Sequence, residues 1–191
     1  MSGQLSFFTA GALPPAVDDL QGLLAGPGHI VRRGSEARIG VVTGEAWRAT
    51  ALLVAFAARG LAGEQAATVD GQPSVRTAFS PALAPLAGRW TRGARTLPPA
   101  GFVLDGPQLR LWAVAAGRAD AYGYLLELGG SDDDGWTTVG SALHLAGLPA
   151  TLVGPRAGGP AYRITGARRL ARLRELVGDP PLGAGPEDWP D

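Results

Sequence analysis

Two nine-residue stretches decide the fold that this sequence predicts: Leu20–Gly28 is LQGLLAGPG and Leu109–Gly117 is LRLWAVAAG. Both mix apolar with small residues and end in glycine, as expected for helices whose backbones lie close together. We therefore expect the two segments to pack against each other as a seam. The small residues expected to permit this contact are Gly22, Ala25, Gly26, Ala113, Ala115 and Ala116.

The two stretches belong to a longer internal repeat. Gly28 precedes Trp47 by 19 residues, and Gly117 precedes Trp136 by the same 19. Two further intervals, each of 16 residues, also match: Gly60 to Arg76 and Gly147 to Arg163. Matched Trp, Gly and Arg positions in one register indicate two copies of one structural unit.

Hydrophobic periodicity predicts the order α-β-β-α-β-β-α in each copy. In the first copy we expect helices at 17–25, 47–59 and 81–90, and strands at 29–33, 37–43, 66–69 and 74–79. In the second copy we expect helices at 109–116, 136–145 and 167–177, and strand structure within 121–128, 151–154 and 161–165. The predicted class is α+β, with antiparallel sheets and helices on one side of each.

Composition excludes several kinds of chemistry. The 191 residues contain no Cys, which removes thiolate nucleophiles, disulfides and Cys-bound zinc. All 17 basic residues are Arg, so no P-loop or Schiff-base lysine exists. The longest strongly apolar run, 51–58, is too short to span a bilayer.

The duplicated order, with small residues on the first helix of each copy, resembles the single-chain LAGLIDADG homing endonucleases. The resemblance covers roughly residues 17–178, and the two quoted stretches stand where the family has its two motifs. It implies a pseudo-dimeric fold that acts as a monomer, with sheets that lie in a DNA groove.

The chain differs from the family at the motif positions that hold the catalytic metal ions. The family holds metal ions with the acid before each motif's final glycine, but these positions are Pro27 and Ala116 here. Neither side chain can bind a cation, so we expect no metal, no cofactor and no catalysis. A residual nuclease using Asp18, Asp19 or Asp120 is the less favoured alternative.

The resemblance also indicates arginines that would face DNA from the predicted strands. The planar guanidinium group of Arg can donate two parallel hydrogen bonds to a phosphate or to the edge of a base. The alternative is a retained scaffold with solvated arginines. The candidates are Arg32, Arg33, Arg38, Arg76, Arg156 and Arg163.

A short peptide before the repeats, Gln4-Leu5-Ser6-Phe7-Phe8, resembles the pentapeptide by which bacterial proteins bind the DNA polymerase sliding clamp. The resemblance implies polar contacts by Gln4 and apolar anchoring by Leu5 and the final aromatic residue. The alternative is that Leu5, Phe7 or Phe8 packs on the protein's own body.

These observations predict four segments: a flexible tail with the docking peptide at 1–15, repeats at 16–95 and 96–178, and an acidic tail at 179–191. The expected function is a non-catalytic, clamp-associated replication or repair accessory protein, cytoplasmic and near the nucleoid. Its expected partners are the sliding clamp and double-stranded DNA or a repair protein, with no membrane. The alternative is a DNA-binding transcription regulator without clamp contact. The sequence does not indicate whether the acidic tail and Trp189 pack on the body.

Overall fold

Two four-stranded antiparallel sheets form the framework of the computed structural model, which describes residues 14–129, 133–157 and 159–190. The first sheet has the order β1-β2-β4-β3, with strands β1 His29–Arg33, β2 Glu36–Val42, β3 Gly63–Ala67 and β4 Pro73–Thr77. A two-stranded hairpin follows, β5 Thr91–Arg92 and β6 Arg95–Thr96. The second sheet has the order β7-β8-β10-β9, with β7 Gly117–Asp120, β8 Gly123–Glu127, β9 Thr151–Val153 and β10 Ala161–Ile164. The repeated order confirms the predicted α+β fold of two related halves.

Six helices accompany the sheets in the described part of the chain. They are α1 Gln21–Ala25, α2 Ala46–Ala57, α3 Ala84–Trp90, α4 Gly106–Ala116, α5 Asp133–Leu145 and α6 Ala167–Val177. Turns of 3-10 helix lead into α1 at Val17–Leu20 and into α3 at Pro81–Leu83. The first of these turns is the beginning of the helix that the sequence predicts from residue 17.

Helices α1 and α4 pack against each other, as the two quoted stretches predict. A Cβ atom on Gly22 would overlap the backbone carbonyl of Gln108, and one on Gly26 would overlap the indole ring of Trp112. The closest approach on α4 is therefore made by Gln108 and Trp112, not by the alanines that the sequence indicates. Both pairs are four residues apart, so they lie on matching turns of the two helices.

Some element boundaries differ from the predicted ones. Strand β3 begins at Gly63 rather than at residue 66, because its pairing with β4 extends back to Thr77. In the second half the predicted span at 121–128 contains a turn at Ala121–Tyr122, and β7 begins directly after α4. The hairpin β5–β6 was not predicted, since two-residue strands carry no periodicity.

Candidate nucleic-acid interface

One face of the first sheet points away from the helices. Side chains alternate along a strand, and the register sets Arg38 opposite Val31 and Arg33 opposite Glu36, while the fully buried Ile39 lies on the helix side. We call this side the first open face. It comprises His29, Val31, Arg33, Glu36, Arg38, Gly40, Val42, Glu64, Ala66, Ser74 and Arg76.

Arg32 lies on the other side of the same strand. Its cross-strand partner is Ala37, which is completely buried on the helix side of the sheet. Arg32 itself is exposed. The register therefore separates Arg32 from Arg33, Arg38 and Arg76, and its contact with DNA stays a prediction.

Two arginines of the first open face stack on one aromatic ring. The guanidinium carbon of Arg33 lies 3.8 Å from the ring centroid of Phe79, and that of Arg38 lies 4.8 Å from it. A guanidinium plane held on a ring keeps the N–H groups at its edge available to an anion. Phe79 stands at the end of the strand predicted over 74–79, but no local pattern indicates that two arginines from β1 and β2 lie over its ring.

Acidic residues on the same face pair with two of these arginines. Arg33 lies 3.1 Å from a Glu36 carboxylate oxygen, and Arg76 lies 2.7 Å from Glu64. Both pairs are substantially exposed, so water screens them and they can open at little cost. Among the described residues Arg38 forms no ion pair, which leaves its charge the least compensated on this face.

His29 lies over the glycine at the centre of the first open face. A Cβ on Gly40 would overlap the imidazole ring, so the absence of a side chain there makes room for it. Partial burial and the nearby positive charge of Arg38 both lower the pKa of His29 below its ordinary value. At neutral pH the ring is therefore mainly uncharged.

On the matching face of the second sheet, which we call the second open face, the charged side chains pair with one another. It comprises Arg118, Asp120, Gly123, Leu125, Glu127, Thr151, Val153, Ala161 and Arg163. Arg163 lies 2.7 Å from Asp120, with side chains only 20% and 16% exposed, and its guanidinium also faces the ring of Tyr122 at 5.3 Å. Burial opposes ionisation of Asp120. The Tyr122 backbone N–H and Arg163 outweigh that effect, so the pKa of Asp120 lies below its ordinary range. Arg118 likewise pairs with Glu127 at 2.8 Å.

Apolar residues occupy the centre of this second face. Leu125, Val153 and Ala161 form a small buried cluster separate from the main core. The remaining predicted arginine, Arg156, is exposed in a 3-10 turn between β9 and β10. The two halves thus present different surfaces, basic with an aromatic ring in the first and apolar with closed ion pairs in the second.

The two positions that carry acids in LAGLIDADG proteins line one cleft of about 290 Å³. They are Pro27, after α1, and Ala116, at the end of α4. The charged side chains of this cleft are Arg48, Arg118 and Glu127, and Glu127 is already bonded to Arg118. Two guanidinium groups and one paired carboxylate do not make a divalent cation site, because cations need several free oxygen ligands.

The three acids near the motifs are each held by an arginine. Asp19 lies 2.6 Å from Arg59 and accepts a hydrogen bond from the Ala16 backbone, and Asp18 lies 2.7 Å from Arg89. Asp120 lies in the second half of the molecule, where it pairs with Arg163 as described above. In the described part of the chain these acids do not converge, and no group of three His, Asp or Glu residues there could hold a metal ion.

A buried arginine closes the C-terminal end of α4. Arg48, 6% exposed, donates to the carbonyl oxygens of Ala113 at 3.2 Å, Val114 at 3.0 Å and Gly117 at 2.8 Å. The Ala113 carbonyl also accepts from the Gly117 backbone N–H, whereas the carbonyls of the last helical turn ordinarily lack an intrahelical donor, so the guanidinium supplies donors there and its charge complements the helix dipole. The sequence carried no signal for this contact, since Arg48 is separated from the three carbonyls by 65 to 69 residues.

The C-terminal segment completes this site and is packed on the body. Asp188, 6% exposed, accepts from Arg48 at 3.0 Å, and its backbone carbonyl accepts from the Tyr124 hydroxyl at 2.8 Å. Trp189 is also buried and donates to the Gly178 carbonyl at 2.8 Å. Burial raises the pKa of the Tyr124 hydroxyl. Asp188, Trp189 and the adjacent Pro190 of the predicted acidic tail are therefore buried in the interior.

The predicted clamp-binding residues Gln4, Leu5, Ser6, Phe7 and Phe8 lie outside the described residues. Their contact with a sliding clamp stays a prediction. Within the described residues, none of the helices has both the length and the apolar character needed to cross a membrane.

Comparison with solved structures places this arrangement in a known fold class, that of the homing endonucleases. The structure of the homing endonuclease I-WcaI bound to its DNA recognition sequence superimposes with a TM-score of 0.61. The similarity covers 83% of this chain and 78% of that one, at 12% sequence identity. No protein-family model and no curated protein sequence matches the chain. The fold implied by the resemblance is thereby confirmed.

Proposed function

We propose that this protein binds double-stranded DNA without cleaving it, and that its first open face makes the main contact. The observation that carries the proposal is the stacking of Arg33 and Arg38 on Phe79, on an exposed sheet face of a homing-endonuclease-like fold. The solved relative was determined on DNA, which supports the choice of ligand. The second open face contributes less, because Arg163 is held in a largely buried pair with Asp120 and the centre of the face is apolar.

DNA binding is tested by fluorescence anisotropy of a labelled duplex across a salt series. Each phosphate contact contributes about 0.9 to the slope of log affinity against log salt, so Arg33→Ala/Arg38→Ala should lower that slope by about two. Arg32→Ala is the matched control, since Arg32 is the adjacent exposed arginine on the opposite side of the strand. Equal slopes for all three proteins, or no binding by the intact chain, would refute the proposal.

The donor set of the cleft between the motif ends supports the proposed absence of cleavage. The Arg48 and Arg118 guanidinium groups repel a divalent cation there, and Glu127 is occupied. We expect supercoiled plasmid to stay intact at high protein excess with magnesium, as it does with chelator. Magnesium-dependent nicking that Asp120→Asn abolishes would instead support a residual nuclease.

We further propose that the Gln4–Phe8 peptide docks on the bacterial sliding clamp, which would hold the DNA-binding body near replicating or repaired DNA. A short tether raises the local concentration of the body at DNA without any new contact. Support for this step is the pentapeptide pattern and its position ahead of Pro14 and Pro15.

Calorimetric titration of the full chain into a sliding clamp tests this second step. We expect micromolar affinity, loss of binding in Gln4→Ala/Phe8→Ala, and retention in Ser6→Ala, which changes the same peptide outside its anchors. Melting temperatures of all three should agree. If the intact chain does not bind the clamp while DNA binding persists, a DNA-binding regulator without clamp contact becomes the better description.

A further inference from the structure

Helix α6 carries a concentration of positive charge that the proposed function does not use. Within its sequence, ARRLARLRELV, residues 168–174 hold four arginines and no acid, and Glu175 is the one acid of the helix. Its net charge is therefore +3, although the chain as a whole is neutral. The first open face, by comparison, sets three arginines against two glutamates. Helix α6 thus carries more net positive charge than the face proposed to bind DNA.

The helix directs this charge away from the protein. Leu173 and Val177 are buried in the main core. At 3.6 residues per turn, Arg168 and Arg172 lie about 140° around the helix axis from these two apolar residues, and both are exposed. The exposed Arg169 lies beside them. We call the side formed by Arg168, Arg169 and Arg172 the basic face of α6.

Contacts within the protein compensate little of this charge. Across the described ranges, the side chains of Arg168 and Arg174 form no hydrogen bond and no ion pair. Arg172 lies 2.7 Å from Glu175, but these side chains are 46% and 69% exposed, so water screens the pair and it can open at little cost. The basic face is therefore available to an anion from solution.

The arginines also lie where they do not help the helix. Arg168 and Arg169 belong to the first turn of α6, which is the positive end of the helix dipole and ordinarily favours acids. This turn contains no acid, and Gly166 at its start provides no side-chain cap. A local arrangement that costs stability without a visible gain in folding is typical of a functional surface.

The first half shows that the fold does not require such a helix. The counterpart of α6 there is α3, whose single arginine, Arg89, pairs with Asp18 at 2.7 Å. The same position in the repeat therefore carries one paired arginine in the first half and a basic face in the second. This difference points to a role of α6 beyond folding.

A DNA duplex is the partner whose charge fits the basic face. Arg168 and Arg172 are about 6 Å apart along the helix axis at 1.5 Å per residue. Phosphates of one DNA strand follow one another at about 3.4 Å along the duplex axis, so the two arginines can reach successive phosphates. Exposed guanidinium groups suit this contact, which carries no sequence information.

The position of α6 separates this contact from the first open face. Helix α6 packs on α4, in the helix layer behind the sheets, whereas the open faces point away from the helices. DNA is stiff over the length of one protein domain. A duplex on the first open face therefore does not also reach the basic face.

We propose that the basic face of α6 binds the phosphate backbone of a second DNA duplex, so that one chain holds two duplexes together. Binding by α6 rests on the charge and exposure of this helix. The joining of two duplexes also rests on the proposed function of the first open face.

The number of duplexes bound per chain tests the proposal. Analytical ultracentrifugation with a short fluorescent duplex in excess measures it at low salt. We expect two duplexes on the intact chain, one on Arg168→Ala/Arg169→Ala, one on Arg33→Ala/Arg38→Ala, and none when all four substitutions are combined. Arg89→Ala is the matched control, because it removes an arginine from the counterpart helix and should leave two duplexes bound.

Two further measurements exclude a merely structural effect. Arg168→Ala/Arg169→Ala should leave the melting temperature unchanged or slightly raised, because it removes cations from the positive end of the dipole and adds a better helix former. A fall of several degrees would assign these arginines to structure and overturn the proposal. Glu175→Gln leaves Arg172 without its pair, so it should tighten binding of the second duplex, and unchanged affinity would contradict the proposal.

The outcomes for α6 and for the first open face are distinguishable. If the intact chain binds one duplex that only Arg33→Ala/Arg38→Ala removes, the inference about α6 fails, the proposed function stands, and an acidic protein becomes the better partner for α6. If only Arg168→Ala/Arg169→Ala removes that single duplex, the proposed role of the first open face and the joining of duplexes both fail. Absence of any bound duplex would refute both proposals.

Discussion

The Arg48 side chain joins three parts of the molecule that are remote in sequence. It extends from the first turn of α2, bonds the last carbonyls of α4 and pairs with Asp188. A buried charge pair of this kind gains little net free energy over an apolar pair, but losing one partner strands the other charge in a dry environment. The residue is thus a point where small chemical changes have large effects.

We expect Arg48→Ala to lower the free energy of unfolding by about 3–5 kcal/mol, because it leaves the buried Asp188 carboxylate without its ionic partner. Urea unfolding of the variant and of the parent chain measures this. Arg172→Ala is the control: its pair with Glu175 is exposed, with side chains 46% and 69% accessible, so the change should stay within about 0.5 kcal/mol. Similar losses for both variants would contradict the assigned role.

His29 should make the stability of the protein depend on pH near neutrality. Its pKa in the folded protein is lower than in the unfolded chain, so the unfolded state binds more protons between the two values. The contribution is fully present above the unfolded pKa, about 6.5, and is lost as the pH falls through the folded pKa. Melting temperatures at several pH values should therefore fall less steeply toward acid for His29→Asn than for the parent chain. Parallel curves would show that His29 makes no contribution.

At the level of single residues, the sequence predicted where glycines allow close helix packing better than it predicted which side chains contact each other. The glycines at 22 and 26 were identified as points of close approach, and both meet α4. Arg48, Asp188 and Phe79 were missed because each acts through a contact far away in sequence, which no local pattern encodes. Five of the six candidate arginines lie on strands and Arg156 lies in a turn, but only the strand register reveals that Arg32 lies on a different face.

The packing of α1 on α4 is the element-level contact that unites the halves. We expect Gly22→Ala to lower stability by several kcal/mol, since the added methyl group would overlap the Gln108 carbonyl and force the helices apart. Gly88→Ala in α3 is the matched control: space there is open and its backbone is helical, so it should stabilise by about 0.5–1 kcal/mol. Thermal unfolding distinguishes the two, and a harmless Gly22→Ala would contradict the described seam.

Elements with strong periodicity were predicted well, and α6 begins and ends where the sequence indicates. The succession of helices and strands along each half followed from the internal repeat, which is a long-range signal present in the sequence itself, whereas the order of the strands within each sheet comes from the structure. The boundary at β7 was not predicted, because that strand follows α4 with no intervening loop and contains Gly117 and Asp120, which are uncommon in strands.

At the scale of the whole molecule, the C-terminal segment holds the second half to the rest. Besides the Asp188 and Trp189 contacts, the Glu187 carbonyl accepts a hydrogen bond from the Ala119 backbone at 2.6 Å and so extends the edge of β7. Its burial was not predictable from charge, since acidic terminal segments are usually solvated.

Truncation after Gly178 should therefore lower the melting temperature by several degrees, because it uncovers Tyr124 and leaves Arg48 without Asp188. The control is Glu187→Gln, which removes an acidic charge and keeps the backbone contact, and it should leave the melting temperature nearly unchanged. A truncated chain as stable as the full one would contradict the described packing.

The Arg48 guanidinium at the end of α4 supplies a positive charge that could otherwise come only from a bound cation. A cation taken from solution comes and goes with its concentration, with competing metals and with chelators. Here the positive charge is covalently part of the chain, so it arrives when α2 packs and leaves only when α2 unfolds. The charge at the centre of this molecule is consequently supplied by folding itself and needs no ion taken from solution.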